Sequence, residues 1–256
     1  MVRSLYTACT GMVHQMNRLD VVTNNMANSD TTAYKKEGST SQSFDSVYGI
    51  KINDSSVNYI HQNIGRMSLG VKVGETYTDY GDGNLEETEQ LYDMALSGKG
   101  FFAISYADRN GNESVRYTRD GNFTVNSQGV LMTKDGDFVL AEDGGLINIP
   151  EGVKISVDES GRITADGQEI AQLQLVDFED YNYLEKFGEN MYIAIDGATT
   201  KDAQCKVYQG YLEASNVNVV TEMVDMITIT RDYESNQKVI QTIDSTLEKS
   251  VALGRI

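Results

Sequence analysis

Seam positions near the start of the chain recur as Leu5, Cys9, Met12, Met16, Leu19, Thr23 and Met26, alternating steps of four and three. That is a 3.5-residue repeat, the signature of a coiled-coil seam rather than of the broader stripe on a globular helix. It predicts a helix over about 4–27, roughly 35 Å long at 1.5 Å per residue. Asn24, Asn25, Asn28, Ser29 and Asp30 crowd together at its end, where side chains that bond their own backbone stop a helix. The far end repeats the pattern. Val219, Met223, Met226, Thr230, Tyr233, Gln237, Ile240, Asp244, Leu247 and Val251 again alternate by four and three, with a polar residue at every second seam position from Thr230 onward. Asn216 or Asn218 can cap this second helix, Glu222 sits in its favourable first turn, and Gly254 is a natural stop with Lys249 and Arg255 near it. Two such segments in one chain are expected to be partners of each other or of other copies. Val217, Val220, Val224, Ile227 and Ile229 flank the second seam and require a further surface.

The middle changes period. Short alternating or apolar runs at 101–106, 123–125, 130–133, 138–141, 154–157 and 173–176 lie among Asp-Gly or Asn-Gly pairs at 82–83, 110–111, 120–121, 135–136, 143–144, 166–167 and 196–197. Such pairs suit the positive φ angles of hairpin turns, so the pattern predicts an antiparallel sheet or barrel. No helix-period window interrupts 98–178, which argues against a βαβ fold. Residues 36–75 are rich in Ser, Asn and Gly and read as extended or irregular connecting structure. The expected class is α+β: an antiparallel β-rich central domain, with N- and C-terminal helices forming a coiled-coil-like α domain. Its expected divisions are an N-terminal assembly helix over 1–30, an extended linker over 31–75, a β-rich outer domain over 76–204, and a return segment with the C-terminal assembly helix over 205–256.

Charge sharpens that division. The chain has 256 residues and a formal net charge of −17. Residues 76–204 hold 25 acids against 9 bases, nearly the whole imbalance, while both ends are close to neutral. An acidic surface repels phosphate, so nucleic acid and anionic membranes are poor partners. No run approaches 18 apolar residues, so no integral membrane span is expected, and the first thirty residues lack the plan of a cleaved secretory signal. Cys9 and Cys205 make neither a disulfide framework nor a zinc site. His14 reads as a solvated or packed helix residue and His61 has no ligating neighbours in sequence. Gly98-Lys99-Gly100 lacks the rest of a phosphate loop, and Gly81-Asp82-Gly83 lacks the third glycine of a dinucleotide loop. Asp120-Gly121-Asn122 and Asp135-Gly136-Asp137 lack the glycine and glutamate of a calcium loop and read as hairpin turns. No catalytic, metal or cofactor-binding residue is expected, nor any cofactor.

Specific motifs remain. Asn24, Asn25, Met26, Ala27 and Asn28, then Thr31, Tyr34 and Lys35, resemble the N-terminal signature of the flagellar rod and hook proteins. Leu212, Glu213, Ala214, Ser215, Asn216, Val217, Asn218 and Val219, continuing through Arg231, Tyr233, Glu234, Asn236 and Lys238, resemble their C-terminal signature. The central runs 91–102 and 117–123 are similar to the family's internal motifs, and the match is best to rod members of about this length. One departure stands out: Ala33 occupies a position where the family usually has glycine, and a positive φ there would cost alanine about 1 kcal/mol.

The resemblance implies a structural subunit of the bacterial flagellar basal body, not an enzyme. It implies export by the flagellar type III apparatus without a cleaved signal, and assembly with other copies of itself and with adjacent rod and hook proteins. The residues it assigns to the self-assembly interface are Leu5, Met12, Met16, Leu19, Met26, Val219, Met223, Met226, Ile227, Tyr233, Ile240 and Leu247. A proximal-rod or hook subunit is the nearest alternative. From another class, a secreted β-rich binding module with helical oligomerisation ends would require a site, and the chain has no tryptophan to build an aromatic platform.

Overall fold

The computed structural model describes residues 2–50, 63–107, 113–150, 152–188 and 190–254. His61, the Asn110-Gly111 pair and Arg255 lie outside them. The chain forms two compact units, one of residues 1–27, 37–79 and 218–256, the other of 28–36 and 80–217.

The first unit holds the two long helices, α1 (Val2–Ala27) and α2 (Val219–Leu253). Asn218 caps α2, its side chain accepting a hydrogen bond from the Thr221 N–H at 3.2 Å. The helices pack on each other, with α1 also touching a pair of strands, β1 (Glu37–Ser43) and β4 (Val71–Thr78). Between these strands, β2 (Val47–Ile50) pairs with β3 (Asn63–Met67). The stretch 31–75, expected as an extended linker, folds in large part as strands. Its apolar alternation is weak: β1 reads Glu-Gly-Ser-Thr-Ser-Gln-Ser, and only Val71, Val73 and Thr78 of β4 turn partly inward. What seats the strands is α1, where the Ser41 hydroxyl meets the buried His14 Nε2 at 2.8 Å.

The second unit is antiparallel throughout its paired strands. In chain order these are β5 (Leu85–Glu87), β6 (Met94–Lys99), β7 (Phe101–Ala107), β8 (Glu113–Thr118), β9 (Phe123–Val125), β10 (Leu131–Thr133), β11 (Phe138–Val139), β12 (Ile155–Val157), β13 (Arg162–Ala165), β14 (Gln168–Gln172), β15 (Leu175–Phe178), β16 (Leu184–Phe187), β17 (Met191–Ala194), β18 (Thr200–Asp202), β19 (Gln204–Gln209) and β20 (Tyr211–Glu213). The largest sheet runs β16-β17-β8-β7-β11-β10-β9, with β15 joining β7 to β18. β12-β13-β14 form a second sheet, and β6 pairs with β19 and β5 with β20. The expected α+β class is what the chain adopts.

β7 is buried on both faces, so its residues divide two cores by simple alternation. Phe102 and Ile104 enter a large aliphatic core with Met94, Leu131, Ile147 and Ile163. Phe101 enters an aromatic one, with its ring 5.4 Å from Tyr192 and 6.1 Å from Phe178, both edge to face.

The Asp-Gly pairs serve two purposes. Asp166 and Gly167, at φ 49° and 80°, make the two-residue turn between β13 and β14. Gly136 and Gly144 take positive φ in the turns after Thr133 and Ala141. Gly83 and Gly121, expected in hairpin turns, do something else. Neither has positive φ; a side chain on Gly83 would overlap the Ala214 carbonyl, and one on Gly121 the Met94 carbonyl. These glycines permit backbones to touch. Gly121→Ala should therefore destabilise the protein by about 2 kcal/mol or more, because the clash is with main chain that must shift. Gly136→Ala, which only strains φ in open space, should cost about 1 kcal/mol. Thermal unfolding of the two variants checks the order.

Candidate assembly surfaces and the buried charge cluster

Within the first unit the helices run antiparallel in one fixed register. Gln15 Nε2 donates to Asp232 Oδ2 at 3.2 Å, Asn25 Nδ2 donates to Glu222 Oε2 at 3.3 Å, and Gly11 lies against the Asn236 side chain. Each step along α1 is matched by one step back along α2 across all three pairs. Asn25 is also tied to the strand after the helix: its Nδ2 donates to the Glu37 carbonyl at 2.8 Å and its Oδ1 accepts from the Glu37 N–H at 2.9 Å.

This pairing corrects the seam read from the sequence at every second position. The inward row of α1 is Leu5, Ala8, Met12, Gln15, Leu19, Val22 and Met26, so Cys9, Met16 and Thr23 turn outward. The inward row of α2 is Glu222, Met226, Ile229, Tyr233, Asn236, Ile240, Ile243 and Leu247, so Met223, Thr230, Gln237 and Asp244 turn outward. The cause is that the intramolecular seam uses small and polar residues. Ala8 and Gly11 admit the partner helix closely, and Gln15, Asn25, Glu222 and Asn236 supply contacts that an apolar count passes over.

The assigned interface residues accordingly fall into two groups. Leu5, Met12, Leu19, Met26, Val219, Met226, Tyr233, Ile240 and Leu247 are half-buried in the monomer. Met16, Met223 and Ile227 are exposed, at 51%, 49% and 53%. Around them Cys9, Val13, Val220 and Val224 are exposed too, leaving each helix with a second apolar row facing solvent.

The motif residues beside the helices converge in the second unit on a buried charge cluster. Lys35 and Glu213 are fully buried and paired at 2.5 Å, and Lys35 Nζ also donates to the Gly81 carbonyl at 2.7 Å. The same Glu213 oxygen accepts from Arg119 Nη1 at 3.3 Å and from the Gly83 N–H at 2.9 Å. Arg119 further binds Asp82 at 2.9 Å, the Gly100 carbonyl at 3.1 Å and the Gly98 carbonyl at 2.7 Å. Burial pulls the Lys35 ammonium below the ordinary lysine value, with Glu213 opposing and Arg119 adding to the drop. For Arg119, burial acts downward, but Glu213 and Asp82 outweigh it and hold the guanidinium above its usual value.

Around this centre the two chain segments are laced together. The Ala33 N–H donates to the Glu213 carbonyl at 2.8 Å, the Lys36 N–H to Asn216 Oδ1 at 2.7 Å, and Asn216 Nδ2 to the Gly81 carbonyl at 3.3 Å. The Thr32 hydroxyl binds Asp120 at 2.9 Å, Thr31 binds Asn28, and Ser215 accepts from the Val217 N–H. Tyr34 is buried beneath Lys186, whose Nζ lies 4.0 Å from the ring centre. Asn24, Ala27, Asn218, Arg231 and Glu234 instead sit at exposed helix positions. Arg119, Asp82 and Glu222 were missed as site residues; the place of Arg119 in the 117–123 run that resembles the family's internal motif was the available signal. Among the described residues no group of three or more His, Cys, Asp or Glu could hold a metal ion, and no helix is long and apolar enough to cross a membrane.

Ala33 settles the question raised by its sequence position. It is buried with φ 56°, so the turn keeps the left-handed geometry and alanine bears the strain.

Comparison with known proteins agrees with the placement of these motifs. Residues 5–35 match a family model described as flagella basal body rod protein, residues 95–165 one described as flagellar hook protein FlgE/F/G D1 domain, and residues 208–253 one described as flagellar basal body rod FlgEFG protein C-terminal. The flagellar basal-body rod protein FlgG of Buchnera aphidicola (subspecies Schizaphis graminum) is 33% identical over 97% of this chain and 98% of its own. The FlgG of Bacillus subtilis is 32% identical with both chains covered completely, and the rod protein FlgF of Caulobacter vibrioides is 33% identical over 98% and 96%.

Two variants test the cluster. Glu213→Ala leaves two buried cations without their shared carboxylate and should cost about 3–5 kcal/mol. Ala33→Gly relieves the left-handed strain and should gain up to about 1 kcal/mol, a rise of roughly 2–4 °C in melting temperature for a chain of this size. Calorimetry on the purified variants gives both numbers.

Proposed function

From the premise that the chain belongs to the flagellar basal-body rod protein family and is a structural subunit of that rod, we propose that it polymerises through its two terminal helices. The observation that carries this is the second apolar row on each helix. Val13, Met16, Met223 and Ile227 are each about half exposed, and Val220 is 72% exposed, on helices whose other face is already occupied. Monomers seldom leave such rows uncovered, and burying them between copies supplies about 25 cal/mol per Å² of apolar surface. The interface therefore comprises Met16, Met223 and Ile227 directly, while Leu5, Met12, Leu19, Met26, Val219, Met226, Tyr233, Ile240 and Leu247 build the helix pair that presents them.

The charge of α1, one acid against two bases, is opposite in sign to that of α2, six acids against three bases, which favours contact between unlike helices. Export through the flagellar type III apparatus, and contact with adjacent rod and hook proteins at the ends of the polymer, complete the proposed role. Full-length similarity to FlgG relatives supports a distal-rod position; the 33% identity to a FlgF protein supports the proximal rod as the second reading.

Met16→Glu and Ile227→Glu test the reading. Both side chains are solvent-exposed, so the melting temperature should stay within about 1–2 °C of the parent, consistent with a cost below ~0.5 kcal/mol. Polymerisation in vitro and swimming of cells carrying either variant should be lost, and electron microscopy should show basal bodies with a truncated rod. Normal motility with either glutamate would refute the assignment.

A further inference from the structure

The two uncovered rows match each other, not themselves. On α1, Cys9, Val13 and Met16 are spaced four then three. On α2, read backwards, Ile227, Met223 and Val220 are spaced four then three. We propose that the Cys9–Val13–Met16 row of one copy docks antiparallel on the Val220–Met223–Ile227 row of a second copy. Cys9 then faces Ile227, Val13 faces Met223, and Met16 faces Val220. This rests on the reading that the helices carry self-assembly, and it names the partner surface, the direction and the register.

Several observations support the second copy as occupant. In a side-by-side array of identical subunits every α1 runs one way and every α2 the other, so an α1–α2 contact between copies is antiparallel by construction. Further along the same register the exposed Arg3 falls one residue from the position facing the exposed Glu234, and Arg231 falls one residue from Thr230, which faces Tyr6, itself 64% exposed. Unlike charges and a cation beside an aromatic ring thus extend the apolar contact.

The register has a geometric consequence. Within the chain, Gly11 lies against Asn236 and Gln15 against Asp232, which places Cys9 level with residues beyond Asn236. Between copies Cys9 meets Ile227. The two registers differ by about eleven residues, roughly 16 Å at 1.5 Å per residue. A contact that joins two different patches with an axial shift does not close on itself, and repeats into a helix.

Cys9, exposed on the docking row, is a native reporter. The test uses full-length protein with Cys205→Ser and Ile227→Cys, polymerised and then oxidised with copper phenanthroline. Disulfides require Cα atoms within about 7 Å, so the shift excludes closure inside one chain. The expected result is a ladder of cross-linked multimers on non-reducing gels, with monomer only for Cys205→Ser alone and for Cys205→Ser with Val251→Cys. Should cysteine at 227 weaken assembly, Val13→Cys with Met223→Cys in a chain carrying Cys9→Ser and Cys205→Ser should give the same ladder. Polymers that cross-link through Cys9 alone, through position 251, only as dimers, or not at all overturn the register while self-assembly stands. Failure of the parent and Cys205→Ser proteins to polymerise under any condition overturns the self-assembly reading itself.

Discussion

The structure depends on one carboxylate shared by two buried cations. Glu213 receives Lys35, Arg119 and the Gly83 N–H on a single oxygen, with all three charged side chains withdrawn from water. Burying charges is expensive, and this cluster is tolerable because almost every donor has a carbonyl or carboxylate to meet. Its position explains the expense. Lys35 lies eight residues after the end of α1 and Glu213 six before the start of α2. An apolar contact could hold those segments together but would let them slide. A salt bridge with backbone carbonyls on every side fixes which residue of one segment faces which residue of the other.

In the other unit the helices must satisfy two surfaces at once. Their inner faces combine Ala8 and Gly11 with Gln15, Asn25, Glu222 and Asn236, giving close approach and directional hydrogen bonds at modest apolar gain. Large apolar residues thus lie on both sides of the pair, Leu5, Met12, Leu19, Met226, Ile229 and Leu247 inside and Met16, Met223 and Ile227 outside. A self-sufficient hairpin would leave the second set out. Polar pairs choose the register in the monomer, and methionines and branched aliphatics remain for association, where flexible Met fits an imperfectly shaped partner.

Much of this was legible in the sequence, and the failures have physical causes. The two helices, the antiparallel β-rich middle and a cap at Asn216 or Asn218 follow from spacing and turn chemistry alone, and the structure uses Asn218. The motif residues Asn25, Lys35, Glu213 and Asn216 proved to be hydrogen-bonded centres of the structure. The seam was displaced by one residue at alternate positions because heptad counting rewards Met over Ala, Gln and Asn. The strands in 37–78 were read as a connection because their residues are polar and rely on each other and on α1. Gly83 and Gly121 were read as turn formers because Asp-Gly carries the same signature whether glycine is needed for φ or for space. Arg119 is invisible to periodicity, since nothing local distinguishes a buried arginine from an exposed one.

The acids concentrate in 76–204, α1 carries one acid against two bases, and α2 carries six against three. Spread evenly, the same −17 would put about two uncompensated acids on each helix, within a Debye length of about 8–10 Å of a neighbouring copy; α1 escapes this, while α2, with six acids against three bases, does not. The residual repulsion between copies therefore lies on α2, where Arg231 and Glu234, with Arg3 of α1, also discriminate among registers. The same arrangement keeps the monomer soluble through its acidic unit until the apolar rows are covered. The net charge therefore acts on when and how the subunits meet, while the apolar rows determine how strongly.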